Sequence, residues 1–287
     1  MKNIYIDSTK IHDNTGDGSL FVRPKIQGLE MPEIRLSSYL RPNSDGAIVP
    51  GHLYGGRLIS FIGHVQGETI TDYRTLRRTI EGALSIRRDT DGSMLARTLK
   101  FTTMDDLALQ VDVQTRRFVF PDDMLLSGDY NVDLFAPDFA LLSQTQKTHV
   151  IAAFAGGGMP IPMPIPMNMS AGGSTDATLV NDGNILAYPT ITITGPVLNP
   201  TIINDMTGET LDLTYELTTA AESIIIDTLR RTVIYYATSG GTPVNIRGAM
   251  AGDFISLTPG NNVVKLVLAT TSDGVATFAW RDSYAGV

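Results

Sequence analysis

The stretch TITITGPVLNPTIINDMTGETLDL, residues 190–213, decides the fold. Thr and Ile alternate in TITIT, so every second side chain is apolar and β-branched, which marks a half-buried strand. Gly-Pro, Asn-Pro and Thr-Gly then punctuate the run as turn signals. The same grammar continues on both sides, in ATLVN, TGETLDLTYEL, ESIIIDTLRRTVIYY, DFISLTPGNNVVKLVLAT and VATFAWRD. SIIIDTLRRTVIYY reads as a hairpin that turns near residues 228–230. Gly195–Pro196 and residues 259–260 read as turns. Strands recurring at roughly ten-residue spacing predict an antiparallel β-sandwich over residues 175–287.

Upstream, residues 1–150 also read mainly as strands. GGRLISFIGHV (55–65), LARTLKF (95–101), LALQVDVQ (107–114), RRFVF (116–120) and YNVDLFA (130–136) carry the pattern. In LALQVDV the alternation puts Leu107, Leu109, Val111 and Val113 on one face. One helix interrupts them, TDYRTLRRTIEGALS (71–85). Tyr73, Leu76, Ile80 and Leu84, with Ala83, recur at helical spacing and form its core face. Thr71 is the expected N-cap, and Asp72 suits the positive end of the helix dipole. Arg74, Arg77, Arg78 and Glu81 fall mostly on the opposite face. With Arg87 and Arg88 these arginines make the densest basic cluster. It is either a solvated face or a surface for an acidic subunit or passing nucleic acid.

Between the two halves, GGGMPIPMPIPMNMSAGG (156–173) places proline at every second position. The residue before a proline is driven to extended backbone. Met159, Ile161, Met163, Ile165 and Met167 therefore share one face of an extended segment, and the proline rings share the other. The prolines remove N–H donors from one edge only, so the segment can join a sheet by its other edge. We expect an arm or linker over residues 151–174, with these five apolar residues as interface candidates.

The bulk numbers bound the rest. A chain of 287 residues with 43% hydrophobic and 18% charged residues can build a core. It has no cysteine, which excludes disulfides and Cys-ligated metals. No apolar run approaches the roughly 18 residues of a membrane span, and the first residues lack the apolar region of a secretion signal. The net charge of −8 divides as −2 over residues 1–150 (17 basic, 19 acidic) and −6 over 151–287 (5 basic, 11 acidic). Neither half has the basic excess of a phosphate-gripping protein.

A search for chemistry finds no catalytic, cofactor or metal residues. His12, His52, His64 and His149 lack ligand spacing, and His64 lies within a predicted strand. There is no HExxH, GxSxG, P-loop or strand-linked GxGxxG. GDGSL (16–20) reads as a turn. Asp105–Asp106 and Asp122–Asp123 are neighbours in sequence, and neighbours in extended chain point to opposite faces. DTDGS (89–93) lacks the length and the final Glu of a calcium loop. Trp280 reads as core.

Several stretches, in order, resemble one family. They are GGRLISFIGHVQGETITDYRTLRRTIEGAL (55–84), VDLFAPDFALL (132–142), LVNDGNILAYPTITITGPVLNPTIINDMTGETLDL (179–213), IIIDTLRRTV (224–233), FISLTPGNNVV (254–264) and WRDSY (280–284). The order is similar to that of distal tail proteins, or minor tail proteins, of long-tailed bacteriophages, with the version in phages of actinobacteria nearest. The resemblance implies a tail-tube-type β-sandwich or barrel-like N-terminal domain with one α-helix, followed by a galectin-like β-sandwich. It implies a structural virion protein without enzymatic activity. Such a protein forms a homo-hexameric ring between the tail tube protein and the tail hub, carries receptor-binding proteins, and lets phage DNA pass without specific binding. The alternative reading is a carbohydrate-binding module whose C-terminal sandwich recognises host wall glycans through Trp280 or the Tyr235–Tyr236 pair.

Overall fold

The computed structural model describes residues 1–13, 20–22, 26–92, 94–123, 125–152, 174–268 and 274–287. The chain forms two units. The first holds Met1–Gln144 and takes back Tyr284–Val287, and the second is Thr145–Ser283. The boundary thus falls a few residues before the expected one, because the strand Lys147–Ala152 pairs along its whole length with Val275–Trp280 of the second unit. The arm residues Met159, Ile161, Met163, Ile165 and Met167 lie outside the described residues.

The first unit is built on an antiparallel sheet. Thr9–Asp13, Asn3–Ile6, Arg97–Thr102, Ala108–Asp123, Ser127–Ala136, Arg57–Gln66 and Leu20–Val22 follow one another across it. Ala108–Asp123 is 16 residues long and serves two neighbours. Its first part pairs with Arg97–Thr102 and its second with Ser127–Ala136. The register slips twice along the second part, between Thr115 and Arg117 and between Val119 and Asp122. Such bulges bend a strand and sharpen its twist, which lets one strand belong to two halves of a curved sheet. Leu109, Val111 and Val113 are buried on one face, with Leu107 half-buried beside them, so the alternation in LALQVDV is the core face expected.

The helix Ile70–Leu84 lays Tyr73, Ile80, Ala83 and Leu84 into this core, with Leu76 partly buried beside them. Its N-cap is Thr69 and not Thr71. Thr69 sits at extended φ −127°, ψ 162°, and its Oγ1 accepts from the Asp72 N–H at 3.2 Å while donating to Asp72 Oδ2 at 2.6 Å. The two residues form a reciprocal capping pair three apart. Thr71 lies inside the first turn, where its carbonyl accepts from the Thr75 hydroxyl.

The second unit is a two-sheet sandwich. One sheet runs Lys147–Ala152, Val275–Trp280, Thr190–Thr194, Ser223–Asp227, Thr232–Tyr236 and Val244–Asn245. The other runs Ser174–Asn181, Gly260–Val267, Thr201–Asn204, Glu209–Leu213 and Met250–Gly252. Alternate residues meet in one core: Ile191, Ile193, Ile224, Ile226 and Phe278 from the first sheet, and Leu179, Ile202, Leu211, Val264 and Leu266 from the second. Each such side chain contributes about 1.5–3 kcal/mol when buried. Ser223–Asp227 and Thr232–Tyr236 form the hairpin expected around residues 228–230.

Candidate interaction surfaces

Ile34–Leu40 and Ala47–Tyr54 form a separate two-stranded sheet in the first unit. Residues 33–51 are exposed throughout. They carry large apolar side chains nonetheless: Leu36 is 66% exposed, Leu40 82% and Leu53 68%, and Ile34, Tyr39 and Val49 are exposed too. The base is fixed by Tyr54 stacking on Phe139 at 4.8 Å and by the Gly55 N–H donating to the Glu33 carbonyl at 2.8 Å. Beyond that base, nothing described in the chain covers it. A lone hairpin is marginal in water, and a contiguous exposed apolar surface marks a place where something else binds. Sequence reading passed over this segment, because IRLSSYL and AIVPGHLY show no clean alternation.

The predicted arginine cluster behaves differently at each position. Arg77 is engaged within its own unit, with Nε 2.9 Å from Glu81 Oε1 and its guanidinium over the Phe120 ring at 4.6 Å. Arg74 and Arg78 are exposed and one helical turn apart. Arg87 is 3.9 Å from Asp7 Oδ2, a loose surface pair.

Two arginines that the sequence did not single out are buried instead. Arg97 closes the helix, donating to the Gly82 and Ser85 carbonyls at 2.9 and 2.7 Å and to Asp7 Oδ2 at 3.0 Å. It brings a cation to the negative end of a helix whose last turn has none of its own. Arg57, 2% exposed, donates to the carbonyls of Gly28, Glu30, Phe139 and Ala285. Burial pulls its pKa down to about 10, against the pull of Glu30 in the other direction. It therefore stays charged at neutral pH and ties the loop at residues 28–30, the loop at Phe139 and residues 284–287 together.

The second unit holds a cleft of about 320 Å³. Leu186, Tyr188 and Leu229 line it with exposed apolar surface, and Phe254, Arg231 and Arg247 complete it. Its wall at Ser256 is held from behind. Glu209 accepts from the Ser256 N–H at 2.6 Å and from the Ser256 hydroxyl at 2.8 Å. Asn204 donates to the Ser256 carbonyl at 2.7 Å, and Asn262 clamps Thr258 by accepting from its N–H at 2.9 Å and donating to its carbonyl at 2.8 Å. Asn181 donates to the carbonyls of Ile185 and Leu257. All three asparagines are fully buried. They come from the NDG, IIND and PGNN stretches that carried the resemblance, so those motifs are side-chain scaffolding for the loops around the cleft.

The remaining candidates resolve as structure. His64 lies in Arg57–Gln66 with Nδ1 2.6 Å from Asp129 Oδ1. Asp106 occupies a turn at φ +63° and pairs with Lys2. No group of three potential metal ligands gathers among the described residues. No helix among them is long and apolar enough to cross a membrane. Trp280 is 6% exposed and its indole donates to the Val180 carbonyl at 3.1 Å, so it cannot offer a face to a sugar. The Tyr235 hydroxyl donates to Glu222 Oε1 at 2.7 Å. The glycan-binding alternative thereby loses Trp280 as its platform and is not favoured.

The described residues thus give two β-rich units, an exposed apolar hairpin and side-chain networks directed at loops. Residues 182–284 match the family model of the siphovirus-type tail component, C-terminal domain. That match spans most of the second unit. No curated protein sequence matches it. The crystal structure of SPP1 Dit, described as a paradigm of the hub adsorption apparatus in phages infecting Gram-positive hosts, is similar at 15% identity and TM-score 0.59 over 98% of both chains. A chain of the phage P2 baseplate in its activated conformation with Ca is similar at 12% identity and TM-score 0.50, over 97% of this chain and 98% of that one. These likenesses establish the mainly β distal-tail fold across both units.

Proposed function

We propose that the chain is the ring-forming adaptor of the tail tip, a homo-hexamer that joins the tail tube to the hub and carries host-binding proteins. The observation that carries this reading is the hairpin Ile34–Leu40/Ala47–Tyr54, exposed and apolar with nothing of its own chain upon it. A closed ring needs a heterologous contact, in which one patch of each copy meets a different patch of the next. A projecting hairpin is suited to that, because it reaches beyond its own core. Arg74 and Arg78 offer a basic stripe for an acidic neighbour. From sequence alone, the proline-rich segment with Met159, Ile161, Met163, Ile165 and Met167 is suited to a second contact of the strand-edge kind. The role is structural, with DNA passing through the lumen without specific binding.

Light scattering and negative-stain images of the full-length protein test this. Wild type is expected as a ring-sized oligomer with a central hole. The triple change Leu36→Ser, Leu40→Ser, Leu53→Ser is expected to give monomers whose melting transitions persist. Wild type and variant with the same mass at every concentration would remove the hairpin from the ring.

A further inference from the structure

The cleft of the second unit has the features of a binding site that the ring does not need. We infer that it seats a segment of a partner protein, one that inserts an apolar or aromatic side chain and sets a carboxylate beside it.

The apolar part follows from the rim. Leu186, Tyr188 and Leu229 keep substantial exposed surface around a concavity of about 320 Å³, within the range of ligand pockets. Aromatic residues and arginine around a pocket are the composition of interface hot spots. The wall is rigid, since the Glu209 carboxylate and the buried Asn204 and Asn262 fix Ser256 and Thr258. A preformed wall lowers the ordering cost of binding.

The carboxylate follows from the arginines. In the turn after Ser223–Asp227, Arg230 is used internally, 3.5 Å from Asp227 Oδ2. Its neighbour Arg231 lines the cleft and has no carboxylate partner among the described residues. Arg231 stands at φ +57°, a left-handed backbone where glycine fits freely and a side chain is strained. Arg231 thus occupies a position that glycine would take without strain, which makes Arg231→Gly an informative substitution. Arg247 lies across the Phe254 ring at 4.8 Å, with Nη1 donating to the Met250 carbonyl at 3.3 Å. A guanidinium stacked in this way keeps N–H groups at its edge for a carboxylate. Glu209 is taken up by Ser256 and Thr207, and Asp253 stands exposed at the cleft. With those two acids the site is formally balanced, so it suits a single acidic side chain and disfavours a polyanion such as nucleic acid.

The test is an NMR chemical-shift titration of ¹⁵N-labelled full-length protein with three blocked dipeptides, acetyl-Phe-Glu-amide, acetyl-Phe-Gln-amide and acetyl-Phe-Lys-amide, and with N-acetylglucosamine. The expected result is shifts at the amides of Leu229, Gly252 and Phe254, with Phe-Glu binding about tenfold tighter than Phe-Gln. Arg231→Gly should abolish that preference while its melting temperature stays level or rises, a combination that a merely structural arginine would not give. Arg247→Leu should weaken it too. Equal binding of Phe-Glu and Phe-Gln, or a preference that survives Arg231→Gly, overturns the proposal. So does a response at these amides to N-acetylglucosamine alone. The titration is run on wild type and on the Leu36→Ser, Leu40→Ser, Leu53→Ser chain, so that signal loss from a slowly tumbling ring is told apart from failure to bind, and the failure of this proposal and of the hairpin reading are separable.

Discussion

The molecule contains two β-hairpins of similar make and opposite fate. Ser223–Asp227/Thr232–Tyr236 turns Ile224, Ile226 and Val233 inward, and all three are fully buried. Ile34–Leu40/Ala47–Tyr54 carries as many branched and aromatic side chains and buries almost none of them. Both have ladder hydrogen bonds, so pairing does not separate them. What separates them is the second face: the opposite sheet of the same sandwich covers one, and no described residue covers the other, which the proposed ring would bury. Strand-forming composition alone therefore does not tell which face is buried; packing against a second layer decides it.

Matched truncations break this comparison most sharply. Ile226→Ala leaves a cavity between two sheets and should cost about 3–4 kcal/mol of stability in chemical denaturation. Leu36→Ala should cost less than about 0.5 kcal/mol in the isolated chain and should instead lower the oligomer fraction seen by light scattering. Equal losses of stability at the two sites would mean that the exposed hairpin is packed on its own chain.

A smaller effect concerns how the buried hairpin is fastened. Glu222 stands at its mouth, and the Tyr235 hydroxyl, helped by the Thr219 N–H and the Thr218 hydroxyl, holds its carboxyl down at about 2. A depressed carboxyl stabilises the fold above its unfolded pKa, near 4.5, and that contribution fades as pH falls toward 2. Glu222→Gln should therefore flatten the melting temperature between pH 4.5 and pH 2 relative to wild type. An unchanged acid limb would show that the bond does not persist in solution. Tyr235, raised to about 12 by the same contact, stays protonated throughout that range.

The smallest effect is in the first unit. Tyr130 is fully buried beside Phe118 and Phe120, packed over Gly63, and its hydroxyl has no hydrogen-bond partner among the described residues. Tyr130→Phe removes an unsatisfied polar atom and should raise stability, by up to about 1 kcal/mol. A loss of stability would reveal a partner bound to that hydroxyl in solution.

Legibility in the sequence followed the same division. The helix face of Tyr73, Ile80 and Leu84 and the hairpin around residues 228–230 could be read, since each periodicity reports burial within the chain. The N-cap was misplaced by two residues because Thr69 and Thr71 are alike in sequence and only the Asp72 contact distinguishes them. Arg57 and Arg97 were missed because a buried cation looks like a surface residue until its carbonyl acceptors are assembled from distant loops. The cleft was unreadable for that reason too: Tyr188, Arg231, Arg247 and Phe254 come from separate turns. The asparagines behind it were visible as turn signals, but their side-chain bonds were not.

One consequence concerns synthesis. Arg57 donates to the carbonyl of Ala285, 228 residues later, and the first unit includes Tyr284–Val287. Translation runs from the amino end, so the entire second unit must leave the ribosome before the first can close its last contact. A chain that stops short lacks the acceptor for a buried guanidinium, and a fold left open there is a poor subunit. Residues 284–287 thus make closure of the first unit wait on synthesis of the second, which sets an order in which the two can mature.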